Sequence, residues 1–315
     1  MNKLKTIVDE IGKVVVGKED VVKTLVVSIT AGGHILLEDI PGVGKTTLAL
    51  ALSKTLGLKY SRIQFTPDVM PSDIIGFNMY NQKSQTFDYV QGAGICNLFL
   101  ADEINRTSSK TQSALLELME EGKYTVEGVT RDLPKPFITI ATQNPFGSAG
   151  TQRLPQSQIE RFTVRVSMGY PSPKSEIEIL KGAKGNKLDI LNNIISANEL
   201  IEYQKLAENT FVKDNIYTYI VDIVNATRNN PYISIGISPR GSIAILKMAK
   251  ANAVFNDRDY VIQEDVLDII EATVSHRIEL SSEAMAKGLT EKQVINNIVS
   301  SIKLKGWYIW EYLKL

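Results

Sequence analysis

The seven residues Pro41-Gly42-Val43-Gly44-Lys45-Thr46-Thr47 constrain this chain more than any other stretch. They follow the apolar run His34–Leu37 and open a helical pattern over Lys45–Leu56. A strand that ends in a glycine-rich turn and feeds a helix leaves backbone N–H groups pointing into the turn, with the positive end of the helix dipole behind them. That arrangement is a seat for phosphate. Gly42 and Gly44 allow the tight turn, and Val43 and Thr47 complete its backbone. Lys45 is placed to reach the β and γ oxygens of a nucleotide, and Thr46 to put its hydroxyl on Mg²⁺. The general phosphate-loop pattern has a first glycine where this chain has Asp39. A carboxylate there opposes phosphate unless it points away.

A sheet fits around this turn. Four further strand-like runs follow in the first half of the chain: Lys59–Phe65, Asn97–Asp102, Phe137–Thr142 and Thr163–Met168. Several are nearly continuous apolar runs, as expected of strands covered on both faces. Helical patterns at Val21–Ala31, Lys45–Leu56 and Ser109–Glu121 alternate with them, the last opened by a capping box of Ser109 and Gln112. Alternation of this kind predicts a mostly parallel α/β sheet. The third run ends in Asp102-Glu103, which places two acids outside the carboxyl end of a strand, where such sheets bind ligands. Asp102 is expected to hold Mg²⁺ through water, and Glu103 to orient the attacking water or take its proton. The fourth run ends at Asn144, a neutral amide able to position that water. Two segments fit neither strand nor helix of the sheet and are expected to be hairpins, Asp73–Gly94 and Tyr124–Pro136, the second with Glu127-Gly128 at its tip.

Together these stretches resemble the AAA+ ATPases, and within them the MoxR family. The resemblance runs from about Val8 to Ile278. It rests on Leu36–Thr47, Phe65–Gly76, Leu100–Arg106, Leu115–Gly128, Leu154–Phe162 and Gly236–Arg240. It implies an α/β P-loop NTPase of AAA+ type, a five-stranded parallel sheet sandwiched by helices with a C-terminal all-α lid. It further implies that Lys45 and Thr46 are the phosphate-loop pair, and Asp102 and Glu103 the metal-linked and catalytic acids. Asn144 is similar to the first sensor. Arg161 matches an arginine finger that acts on ATP bound by a neighbouring subunit, and Arg240 a lid arginine that reports on the γ-phosphate. Val16 and Gly17 match the segment that lies against adenine. ATP and Mg²⁺ are the implied cofactors, held between core and lid. The implied partners are other copies of the chain, in a ring of six, and clients with a von Willebrand factor A fold.

After Met168 the texture changes. Ser172-Pro173 starts a helix, Gly182–Asn193 has the composition of a linker, and helical spacing resumes from Ala197. The expected division is a core over residues 1–181, a linker over 182–196 and a helical lid over 197–315. Lys and Arg total 35 and Asp and Glu total 35, so no global basic field exists to hold nucleic acid. A DNA-acting motor is therefore disfavoured, and a nucleotide-binding switch that hydrolyses poorly stays open because of Asp39. One cysteine and two histidines exclude a disulfide framework and a cysteine-rich or multi-histidine metal site. Cys96 and His34 are expected to be packed and inert. With no 18-residue apolar run, no membrane span is expected, and the cytoplasm is the default location. The aromatic tail, with Trp307, Tyr308, Trp310 and Tyr312, is expected either to pack on the lid or to form a partner surface.

Overall fold

The computed structural model describes residues 3–40, 42–144, 154–181 and 187–303. Pro41 and the aromatic tail therefore lie outside the described residues. Five parallel strands form the central sheet: β1 (Ile35–Glu38), β2 (Tyr60–Gln64), β3 (Leu98–Asp102), β4 (Ile138–Gln143) and β5 (Val164–Val166). Their spatial order is β2-β3-β4-β1-β5. The strands sit where the apolar runs predicted them. The side-chain period of two splits them between two cores. Ile35, Leu37, Leu98, Leu100, Ile138 and Ile140 enter a core on one face, while Leu36, Phe99, Ala101 and Ala141 enter a core on the other. The helix Ser109–Glu121 covers the second face with Leu115, Leu116 and Leu118.

Helix caps show how the chain sets its boundaries. Ser108, not Ser109, is the N-cap of Ser109–Glu121, and its hydroxyl accepts from Thr111 N. Gln112 is then too far along for a capping box and instead donates to Ile104 O at 3.1 Å. The sequence pattern is ambiguous by one residue because both positions are serine. In the lid, Ser238 caps Pro239–Phe255, and Thr290 with Gln293 forms a full capping box on Glu291–Ser301.

The two expected hairpins are present, Phe77–Asn81 with Thr86–Val90 and Lys123–Val126 with Val129–Asp132. They are joined to each other. Asn78 Nδ2 donates to Glu127 Oε2 at 2.8 Å, and the Arg131 guanidinium lies 4.4 Å from the centre of the Tyr89 ring.

The lid is built from Ala197–Asn209, Asp214–Arg228, Pro239–Phe255, Gln263–Val274 and Glu291–Ser301. A short antiparallel pair, Ile233–Ile235 with Glu279–Leu280, is set among these helices. The lid does not hang from a loose tether. Leu191 and Ile195, within the stretch expected to be a linker, are buried in the core on the β1 face, and Ile194 N donates to Thr55 O at 2.8 Å. That same core continues from Leu4 in the first helix to Ile298 in the last. Edge strand β5 is covered by the lid segment Ser275–Arg277. There Arg165 Nη2 donates to Ser275 O at 3.1 Å and Arg277 Nη1 to Thr163 O at 3.0 Å. Among the described residues no helix is long and apolar enough to cross a membrane.

His34 and Cys96 are both buried, as expected. Burial pushes the Cys96 thiol up to about 12, which keeps it protonated. His34 stands at the start of β1, its Nδ1 accepting from Thr139 N at 3.0 Å, so its Nε2 carries the proton that goes to Met119 O at 3.0 Å. Burial pushes its pKa down to about 4. The folded state thus favours the neutral ring, and the stabilisation is present above the unfolded value near 6.5 and lost as pH falls toward 4. Lowering pH from 7 to 5 should cost on the order of 2 kcal/mol through this ring alone. Urea denaturation at the two pH values should show that difference shrink in His34→Gln, and an equal pH dependence in both proteins would refute it.

Candidate active site

The parallel register delivers the ends of β1, β3 and β4 to one edge of the sheet, with Glu38 beside Gln143 and Gln64 beside Asp102. The phosphate turn leaves β1 at this edge. Gly42 and Gly44 have φ of +86° and +96°, values that an L side chain rarely adopts. Gly44 is the N-cap of Lys45–Thr55, so the first N–H groups of that helix open into the turn. Pro41 lies outside the described residues. Val43, Thr46 and Thr47 are half-buried around the turn.

Lys45 is the centre of the site. It is only 8% exposed, and its Nζ donates to Asp39 O at 2.8 Å and to Asn144 Oδ1 at 3.3 Å. Burial holds the ammonium below the usual lysine range, opposed by the charges of Asp102, Asp39 and Glu103. Asn144 uses its other end on Glu103, with Nδ2 donating to Glu103 Oε1 at 3.1 Å. Lys45, Asn144 and Glu103 are therefore one hydrogen-bonded row. Glu103 has a φ of +58°, an uncommon backbone for a residue with a side chain. Thr142 Oγ1 holds it there, accepting from Glu103 N at 2.9 Å and donating to Asp102 Oδ1 at 2.6 Å.

Two arginines missed by sequence reasoning neutralise the acids. Arg62 of β2 donates to Asp102 Oδ2 at 2.6 Å, and Arg106 to Glu103 Oε2 at 2.7 Å. The three-residue spacing of Glu103 and Arg106 was a readable signal. Arg62 had none, because its partner is set by strand register.

Asp39 does point away. Its Oδ1 accepts from Ser167 Oγ at 2.8 Å and Gly169 N at 3.0 Å, and its Oδ2 from Met168 N at 2.5 Å. The carboxylate latches the end of β5 while its own backbone oxygen holds Lys45. Lys18 closes the same corner through Met168 O and through Tyr170 O at 2.9 Å; before it, Val16 is half-buried and Gly17 lies against the Ser175 side chain. The reason to expect poor phosphate binding from Asp39 thus falls away.

Arg161 and Arg240 are brought together, but elsewhere. Glu120 bridges them, at 3.1 Å from Arg161 Nη1 and 2.5 Å from Arg240 Nη2. This cluster belongs to the opposite edge of the sheet. Met119, next to Glu120, accepts from His34 at the start of β1, and Thr163, two residues beyond Arg161, donates to His34 O at 2.8 Å. Strands of four to six residues separate the edges by roughly 13–20 Å. Arg240 thus lies at the arginine edge, away from this chain's own phosphate turn. Its position at a helix start is instead compensated by Glu120.

The arginine edge is rigid. Arg277 is 1% exposed and donates to Phe162 O at 2.7 Å and Glu160 O at 3.2 Å, the carbonyls on either side of Arg161. Ser238 Oγ donates to Glu160 Oε2 at 2.9 Å. Burial pulls the Arg277 guanidinium down to about 10, so it stays charged at neutral pH. Arg161, Arg240, Lys247 and Arg277, with Glu120 and Glu160, line a cavity of about 170 Å³. A cavity with this surplus of cations suits an anion.

The Asp39 latch gives an outcome opposite to the motif pattern. Asp39→Gly restores the usual first glycine but strands three donors. It should lower unfolding free energy by about 3 kcal/mol and weaken nucleotide binding, as read by urea denaturation and titration calorimetry. Unchanged stability with tighter nucleotide binding would refute the latch.

Comparisons with known proteins agree with this geometry. The sequence profile of the ATPase family associated with various cellular activities (AAA) matches residues 34–164, and that of the AAA lid domain matches residues 225–298. The chain is 45% identical to the uncharacterised protein YeaC of Bacillus subtilis, over 94% of this chain and 93% of that one. It is 37% identical to Chaperone MoxR1 of Mycobacterium tuberculosis, over 96% of this chain and 82% of that one. A crystal structure of a presumed ATPase from Cytophaga hutchinsonii superposes with a TM-score of 0.89 at 38% identity, covering 97% of this chain and 96% of that one. With its phosphate turn, paired acids and lid in this arrangement, the chain belongs to the MoxR family of AAA+ ATPases.

Proposed function

We propose that this protein hydrolyses ATP at sites completed between adjacent subunits of a ring, and that the cycle remodels client proteins. The observation that carries the reading is the separation of Lys45, Glu103 and Asn144 from Arg161 and Arg240 across the sheet. A chain with both halves on opposite edges can bring them together only by placing copies side by side. Repeated head-to-tail contact of that kind closes into a ring. Six subunits, as the family resemblance implies, is the expected number.

The chemistry is set by the residues at the two edges. Backbone N–H groups of the turn and the Lys45 ammonium bind the β- and γ-phosphates. Glu103 orients a water and takes its proton as the water oxygen bonds to the γ-phosphorus and the bond to the β–γ bridging oxygen breaks. Asn144 ties the position of Glu103 to that of Lys45, so the acid is aimed only when the lysine is in register. Arg161 and Arg240 of a neighbouring subunit leave their Glu120 and meet the γ-phosphate instead. An arginine supplied this way is worth roughly 10³–10⁵ in rate. Mg²⁺ fits the oxygen donors present, the Thr46 hydroxyl and the Asp102 carboxylate, with the rest of its shell from phosphate and water. When bound it supplies charge neutralisation for the phosphates. Arg62 offsets the Asp102 charge until then.

The client-facing element is the coupled pair of hairpins. Phe77, Met79, Tyr80 and Phe87 are exposed on the first hairpin. Phe77 and Met79 lie on one face of the ribbon and the paired Tyr80 and Phe87 on the other, so apolar side chains on both faces suit transient contact with an unfolding or docked protein. Clients with a von Willebrand factor A fold are the class that the family resemblance suggests.

Mixing two inactive variants tests the shared site. Glu103→Gln and Arg161→Ala should each lose about 10³-fold in ATPase rate. Their equimolar mixture should recover a substantial fraction, because some interfaces pair an intact Glu103 with an intact Arg161. Glu103→Gln mixed with Arg240→Ala should recover likewise. A mixture as inactive as its parts, in a preparation shown to exchange subunits, would sink the reading.

A further inference from the structure

A cavity of about 730 Å³ opens at one end of the lid, a volume typical of sites that seat a ligand-sized group. Its walls are the N-terminal ends of Asp214–Arg228 and Gln263–Val274 and the two segments that lead into them. Those segments are stitched together, with Phe211 N donating to Asp259 O at 2.8 Å and Val261 N to Phe211 O at 2.9 Å. Phe211 is 65% exposed and Tyr260 49% exposed, so two aromatic rings border a concave apolar surface without cover. Asp259 and Glu264 add negative charge to its wall. The site therefore suits a partner with apolar side chains and positive charge.

The chain itself supplies both. The helix Glu291–Ser301 starts at the far end of the same two lid helices. Lys292 pairs with Glu271 near the end of Gln263–Val274 at 2.9 Å. The segment just before it is tied at Lys287 to Tyr232, beyond the end of Asp214–Arg228. Glu291–Ser301 packs against both helices and buries Val294, Ile295 and Ile298. It thus runs back toward their N-terminal ends and leads the chain toward the cavity. Beyond Lys303 the sequence reads Leu304-Lys305-Gly306-Trp307-Tyr308-Ile309-Trp310-Glu311-Tyr312-Leu313-Lys314-Leu315. At roughly 3.3 Å per residue, Trp307 can reach about 13 Å from Lys303 and Trp310 about 23 Å. Lys305 and Lys314 match Asp259 and Glu264 on the cavity wall.

We propose that residues 304–315 dock on their own lid, seating a tryptophan in this cavity against Phe211 and Tyr260. Both tryptophans of the protein lie in this segment, so tryptophan emission from the full-length chain reports on it alone. The emission should be blue-shifted and shielded from iodide, and unchanged on dilution. Phe211→Asp and Tyr260→Asp alter exposed side chains and should leave circular dichroism and nucleotide binding as they are. Each should shift the emission to the red and raise the iodide quenching constant several-fold. Three results would each overturn the proposal. The first is solvent-exposed emission in the unaltered protein. The second is shielding that neither substitution disturbs, which means another seat. The third is shielding that is lost on dilution, which means that the segment sits on a second copy.

Discussion

A buried ammonium organises the nucleotide edge of this protein. Lys45 is almost fully enclosed by protein, and an unpaired charge in that position would be strongly destabilising. The chain keeps it charged with a backbone oxygen, an amide oxygen and three nearby carboxylates. Each of those acids is restrained by something else: Asp39 by the end of β5, Asp102 by Arg62 and Thr142, and Glu103 by Arg106 and Asn144. The negative charge that phosphate must displace is thereby already partly neutralised. The site is preorganised, so binding need not first rearrange it.

The sheet is the spacer between the two halves of the chemistry. Its carboxyl edge carries the lysine and acids, and its amino edge carries the arginines. His34 marks the second edge structurally, since it ties the start of β1 to the end of the helix that bears Glu120. Arg277 then fixes the backbone around Arg161 from the lid side. Arg161 is thus held by core and lid together, and a change in how the lid sits would reach it through the two carbonyls that flank it.

Local features of the sequence were legible, and long-range pairings were not. The five strands, the phosphate turn, both hairpins and most helix starts follow from apolar runs and from turn and cap residues, which act over a few positions. Asp102, Glu103 and Asn144 were readable because each ends a strand that register must bring to one edge. Arg62, Glu120 and Arg277 were not, since their partners lie about 40, 120 and 115 residues away along the chain and only tertiary packing selects them. Asp39 shows the same limit from the other side. A motif records which residue is usual at a position, while the direction of a carboxylate depends on donors 130 residues further on.

Continuity of the core bears on how hydrolysis could be turned into motion. One apolar cluster runs from the first helix through the phosphate-turn helix into the lid, and Leu191 and Ile195 belong to it. Packed cores resist gradual deformation because interiors are close-packed and lose contacts steeply when separated. Bending between core and lid would have to open that cluster. The contacts that can be exchanged at low cost are of another kind: in the ring proposed above, the half-exposed arginine pairs at Glu120 would alternate with the arginines' reach to a neighbouring site. In that proposed ring, movement would therefore be concentrated where one subunit's amino edge meets the next subunit's phosphate turn, and the two hairpins, joined through Asn78 and Glu127, would be carried by the unit that moves.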